Sequence, residues 1–352
     1  MVIRPALRTV ALTATGLLAL AGTAACGDGG GGGADPDRVD VVAAFYPLQF
    51  VTERVGGDAV RVTNLAKPGA EPHDLELNPG QVGQISDAEL VVLLAGFQPS
   101  VDEAVEQQAG GRAFDVATVA PLLDATAGSH EHEGEGEEEH AGEGAESATG
   151  EPTGEPTGEP GAGEEHAEET AGEEHAEETG GKDPHVWLDP TRLAGIADKL
   201  AERLGAVDPD RAADYTARAA TLRTELEALD SEYAQGLRTC ERRELVTSHT
   251  AFAYLAERYQ LEQIGISGLS PEDEPAPQRL AEVAAEAREH RTTTIFFETL
   301  VSPKVAETIA REVGAKTAVL DPIEGLQPDS TGDYFSVMRS NLQTLKTALG
   351  CS

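Results

Sequence analysis

Basic side chains are scarce in this 352-residue chain: 26 Lys and Arg stand against 63 Asp and Glu, a formal net charge of −37. A surface of that sign repels nucleic acid and anionic lipid, which excludes both as expected ligands and leaves cations as the natural class. Cysteine is nearly absent, with Cys26, Cys240 and Cys351 the only three. Long apolar runs are missing after Ala21, and the one before it, from Val10, is about a dozen residues, whereas a bilayer-spanning helix needs roughly 20. A permanent transmembrane helix is therefore not expected. His-Glu-x-x-His is also missing. A zinc hydrolase needs an open coordination position and a nearby general base, and no comparable motif supplies them.

The N-terminus has the order of an export signal: Arg4 and Arg8, the apolar run, then small residues leading into Cys26. Thr23-Ala24-Ala25-Cys26 resembles a bacterial lipobox, with Thr23 where a branched aliphatic residue is usual. The resemblance implies that residues 1–26 form a signal peptide ending at a lipidated Cys26. The glycine-rich residues 27–37 then read as a flexible tether between a lipid anchor and a folded body. Secretion with cleavage at an Ala-x-Ala-like site, leaving Cys26 unmodified, is the competing reading. Both export the protein, and the first holds it on the outer face of the cell membrane.

Half of the excess negative charge is local. Residues 128–181 contain 19 Glu and no Asp, Lys or Arg, and almost no large apolar residue, so they cannot build a core. Gly-Glu-Pro-Thr repeats from Gly150, and Gly-Glu-Glu-His-Ala-Glu-Glu-Thr occurs at Gly163 and again at Gly172. This segment is expected to be a disordered insertion.

Around it the chain is patterned. Residues 39–45, 60–65 and 90–94 read as strands, with helices at 49–55, 79–88 and 101–108 between and after them. After the insertion, residues 191–204 have helical spacing, and Asp208-Pro209-Asp210 predicts an N-cap opening a helix of roughly 28 residues, about 42 Å long. Strands follow at 244–247, 261–266, 293–297 and 317–320, with helices at 251–259, 277–290, 304–313 and 334–349. The expected fold is α/β: two lobes, 38–206 and 239–352, each a mainly parallel sheet flanked by helices, joined by one long linker helix at 207–238.

Four metal-competent side chains sit at element ends. His73 follows the second strand, His185 follows the insertion, His249 lies where a strand gives way to a helix, and Asp321 follows the last strand. Ligands of open parallel sheets bind at the carboxyl ends of strands. Imidazole nitrogen and carboxylate oxygen suit zinc, and three His with one Asp would fill a tetrahedral shell. Singly, each has a bland explanation as a surface or turn residue; the joint arrangement in an exported chain points to a metal site.

Several stretches carry a family resemblance: Phe45-Tyr46-Pro47, Gly69-Ala70-Glu71-Pro72-His73-Asp74, Asp183-Pro184-His185-Val186-Trp187-Leu188-Asp189-Pro190, and Ser248-His249-Thr250-Ala251-Phe252-Ala253-Tyr254-Leu255. Together they resemble the zinc- and manganese-specific solute-binding lipoproteins of ABC importers, over nearly all of the mature chain. The resemblance implies ligands at His73, His185 and His249, and a carboxylate at Asp321. Some zinc members instead use a Glu directly before the first His, or a water, as fourth ligand; here Pro72 holds that place and Glu71 is one residue removed. His at the third position and an acidic, His-containing loop before the second ligand imply the zinc branch.

The implied function is capture of a zinc ion outside the cell and its delivery to an ABC importer membrane permease, by a monomer without covalent chemistry. A manganese-binding homologue, a zinc-dependent hydrolase and a metal-containing adhesin are the competing readings. The insertion's His130, His132, His140, His166 and His175 read either as a weak zinc-gathering loop or as a solvated acidic spacer. His290 reads as a residue of a helix C-terminus. With Cys26 assigned to lipidation, Cys240 and Cys351 are the remaining pair, and in an oxidising setting a disulfide between them is expected; ligation of zinc by one of them is the alternative.

Overall fold

The structure, a computed structural model, describes residues 37–125 and 181–352. The export segment, Cys26, the glycine-rich stretch up to residue 36 and His130, His132, His140, His166 and His175 all lie outside the described residues.

Eight strands form two four-stranded sheets among the described residues. The first contains β1 Val39–Ala43, β2 Val60–Asn64, β3 Leu90–Leu93 and β4 Ala113–Asp115, in the order β2-β1-β3-β4. The second contains β5 Glu244–Thr247, β6 Glu262–Gly265, β7 Thr294–Phe297 and β8 Lys316–Val319, in the order β6-β5-β7-β8. Every pairing is parallel, and the two halves repeat one topology. Strand β3, Leu-Val-Val-Leu, is buried along its whole length, as a continuous apolar run in a covered parallel sheet must be. Strand β4 has only three residues, and a strand of that length leaves no period-2 signal in sequence.

Local chemistry fixes the helix ends. Helix α1, Tyr46–Gly56, begins with Pro at its first turn and stops at Gly57, whose φ of +56° a side chain would strain. Helix α2, Pro79–Asp87, starts from an Asn78–Gln81 capping box, and α3 covers Pro99–Gln108. Helix α4, Pro190–Val207, is N-capped by Asp189, whose carboxylate accepts from Thr191 N and Arg192 N.

The long helix, α5, spans Ala212–Gly236, 25 residues or roughly 37 Å. Its start differs from expectation. Pro209–Arg211 form a separate 3-10 turn, and the Asp208 carboxylate binds Arg211 Nη1 and Tyr215 Oη, each at 2.8 Å, so it is spent on side chains rather than on capping amides. Buried Tyr215, Ala219, Leu222, Leu226, Leu229 and Tyr233 make one apolar stripe at alternating spacings of four and three. Arg218 reaches from this helix to the carbonyls of Val55 and Gly56 at the end of α1, both at 2.8 Å. Tyr233 Oη donates to Met338 O, at 2.6 Å, in the last helix. One helix is thus bonded to elements of both halves.

The second half adds α6 Ala253–Tyr259, α7 Pro277–Glu289, α8 Lys304–Val313 and α9 Tyr334–Leu349. One apolar core runs through the first sheet, α4, α5 and α9 into the second half, and a second core lies between the second sheet, α7 and α8. Cys240, ahead of β5, is disulfide-bonded to Cys351, just after α9. Asp124 and Lys182, one on each side of the insertion, form an antiparallel bridge, flanked by hydrogen bonds from Ala125 N to Gly181 O and from Asp183 N to Leu123 O.

Candidate metal centre

The strand ends supply the site. His73 stands in the loop after β2, His185 at the turn before α4, His249 in the Ser-His-Thr turn after β5, and Glu324 in the loop after β8. One ligand-competent atom from each lies within 4.8 Å of those of the other three. Glu324 Oε1 is the hub, at 3.4 Å from His73 Nε2 and at 3.1 Å from Nε2 of both His185 and His249. With metal–ligand bonds of about 2.0–2.2 Å, a tetrahedral zinc shell has N···O edges of about 3.3–3.5 Å. The three Glu324–imidazole distances already stand close to that spacing, and all four ligand atoms lie within 4.8 Å of one another.

Asp321, the carboxylate expected here, is not in this cluster. Its Oδ1 accepts the backbone N–H of Ile323 at 2.7 Å and its Oδ2 accepts Thr299 Oγ1 at 2.7 Å, so both oxygens shape the loop. Ile323, fully buried, has a φ of +62°, in the left-handed region that a β-branched residue avoids. That turn brings Glu324, three residues after Asp321, to the imidazoles. Sequence reasoning missed it because Asp321 and Glu324 follow the same strand, and only the backbone reversal at Ile323 separates them. Glu71 is also occupied, accepting from His73 N at 3.1 Å and Asp74 N at 3.4 Å.

Two further carboxylates orient the rings. Asp183 Oδ1 lies 2.8 Å from His185 Nδ1, and Glu298 Oε1 lies 2.7 Å from His249 Nδ1 while also accepting Ser248 Oγ at 2.7 Å. A carboxylate only accepts, so Nδ1 of each ring carries a proton, which leaves Nε2 as the nitrogen turned toward the centre. His185, His249, Glu298 and Glu324 are at most 3% exposed. Glu324 Oε2 and Glu298 Oε2 have no hydrogen-bond partner among the described residues. Burying a carboxylate oxygen without a partner costs free energy, and a cation between these groups would offset that cost.

The protonation equilibria reflect this charge. Burial pushes the His185 and His249 pKa values down, but Asp183 and Glu324 around the first, and Glu298 and Glu324 around the second, outweigh it and hold both above the ordinary 6.5. For His73 burial dominates and its pKa falls. Burial pushes Glu324 up, yet the charge of His249 and the bonds from three imidazoles hold it well below the usual carboxylate range. Burial, and then the charge of Glu324, push Glu71 up to about 8. Apolar walls complete the pocket: Phe97 packs 4.5 Å from the His73 ring, and Trp187 5.3 Å from that of His185.

This chain matches, over residues 41–348, the family described as ZnuA, zinc-uptake complex component A periplasmic. It belongs to that family. A high-affinity zinc uptake system protein, ZnuA, from Bacillus subtilis is 33% identical over 332 residues, covering 93% of each chain. A zinc-binding protein, AdcA, from Streptococcus pyogenes is 33% identical over 324 residues, 88% of this chain and 56% of AdcA, so the chain spans about half the length of that relative. Among solved structures, the Zn(II)-bound ZnuA-like domain of Streptococcus pneumoniae AdcA is 29% identical, with a TM-score of 0.64, covering 89% of this chain and 99% of that domain.

Proposed function

We propose that this member of the zinc-uptake family captures a zinc ion outside the cytoplasm, on His73, His185, His249 and Glu324, and passes it to the membrane permease of an ABC importer. The observation that carries the reading is the Glu324 carboxylate oxygen set 3.1–3.4 Å from three imidazole nitrogens drawn from three separate loops. A donor set of three imidazole nitrogens and one carboxylate oxygen favours zinc over manganese, which prefers oxygen donors in octahedral array. Four protein ligands leave no open position for a reactive water, which supports a carrier over a hydrolase. Zinc is cargo here, held without chemistry and released intact.

In the metal-free pocket both nitrogens of His185 and of His249 face carboxylate oxygens, so the protonated rings are favoured. Zinc then enters by displacing the Nε2 protons, and the pocket exchanges one cation charge for another. Anchoring through a lipid on Cys26 and action as a monomer belong to the same reading. Metal analysis of protein purified without a histidine tag, followed by calorimetric titration with zinc and manganese, is the test. One tight zinc site with weaker manganese binding is expected; absence of a tight zinc site would sink the proposal.

A further inference from the structure

The ligands come from both halves of the chain, and their relative placement needs a device that spans them. Trp187, the chain's single Trp, stands two residues after His185 and donates its indole Nε1–H to Pro322 O at 2.7 Å, two residues before Glu324. Both ends of this bond are buried. The indole is itself fixed: its ring meets those of Phe45 and Phe97 at 5.0 and 5.8 Å, and its backbone carbonyl accepts Tyr334 Oη, from α9, at 2.7 Å.

The loop that receives the bond is strained. Ile323 at φ +62° persists only where its surroundings over-determine it. From within the second half it is held by Asp321, and Asn341 clamps Asp321 in turn, accepting from Asp321 N at 3.0 Å and donating to Asp321 O at 2.7 Å. From the first half, Gly69 N–H reaches Leu326 O at 2.8 Å, beyond Glu324, and Trp187 reaches Pro322 O, before it. Glu324 is bracketed by two donors from the opposite half, and Trp187 provides the one that is a side chain.

We propose that Trp187 is a positioning residue for the metal centre: its indole N–H holds the 321–324 turn so that the second half's carboxylate meets the first half's imidazoles. Trp187 touches no metal and acts through Glu324. This inference rests on the quartet being the zinc site.

The test is a double-mutant cycle read by zinc affinity, using the full mature chain and Trp187→Phe, Glu324→Gln and the double variant. Trp187→Phe keeps an aromatic ring and loses the donor; replacing Trp187 by benzothienylalanine keeps the bicyclic shape as well and guards against a folding defect. Either change is expected to weaken zinc binding roughly 10- to 100-fold. In the Glu324→Gln background the same change should cost almost nothing further. Wild-type affinity in both donor-lacking variants overturns the proposal, and so do full, additive losses in the double variant, which would mean that Trp187 acts by packing or through His185. A wild-type chain that binds no zinc would instead defeat the underlying assignment of the site.

Discussion

Glu324 and Asp321 test the residue-scale account most sharply, because they lie three positions apart and have opposite assignments. Glu324→Ala removes the oxygen shared by three imidazoles and is expected to weaken zinc binding by roughly 100-fold or more, about 2.7 kcal/mol. Asp321→Asn keeps an oxygen for Ile323 N–H and is expected to cost less than about tenfold. Calorimetry on the two variants decides, and equal losses would restore Asp321 as a ligand. By the same logic His249→Ala abolishes tight binding while His140→Ala, in the insertion, leaves it unchanged. Protons compete for the same nitrogens, and two of the rings have pKa values raised above 6.5. Zinc affinity therefore falls as pH falls, and the decline begins above pH 6.5 rather than at it. A titration series from pH 8 to 5 that stays flat down to 6.5 would contradict the carboxylate contacts to His185 and His249.

At the scale of elements, the insertion and the long helix play different parts. The residues that flank the insertion meet at the Asp124–Lys182 bridge, where two backbone hydrogen bonds join them. The site lies on strand-end loops that do not include it. Deleting residues 128–180 is accordingly expected to leave one tight zinc site and a melting temperature within a few degrees of the parent. Loss of the tight site in a metal titration would show that the insertion contributes ligands. The long helix was legible from its unbroken stretch between Pro209 and Gly236. Its first turn was not, because whether Asp208 caps amides or binds Arg211 and Tyr215 depends on which partner the folded chain brings near.

For the whole molecule, closure and charge set the stability. The Cys240–Cys351 bridge joins residues 111 apart, a loop worth roughly 4–5 kcal/mol on the chain-entropy model. Replacing both cysteines by Ser is expected to lower the melting temperature by about 10 °C while zinc affinity holds, since the bridge lies at the entry end of β5 and the ligands at strand exits. A matching fall in zinc affinity would count against that separation. The pH dependence of stability should reverse with metal. For raised imidazole pKa values the native state binds more protons than the unfolded chain, so metal-free stability is fullest below about 6.5 and is lost as pH rises through the folded values. With zinc bound, the unfolded chain takes up those protons instead, and stability rises with pH. Differential scanning calorimetry at several pH values, with and without zinc, reads both slopes.

The sequence by itself pointed to the two α/β halves, to the three histidines that the fold brings together, and to a pairing of Cys240 with Cys351. Strand and helix periodicity are local, Asp-Pro-His-Val-Trp-Leu-Asp-Pro is a contiguous signal, and setting Cys26 aside for lipidation leaves two thiols with one pairing. Only the tertiary structure placed Glu324 rather than Asp321 beside the imidazoles, set the carboxylates behind His185 and His249, and made the indole bond from Trp187 to Pro322. Glu298 lies 49 residues from the ring it orients, and Trp187 lies 135 from the carbonyl it holds. Glu324 lies only three residues from Asp321, yet one backbone torsion at Ile323 chooses between them. Such a torsion costs energy locally and is held by contacts from both halves, so no stretch of sequence contains the reason for it.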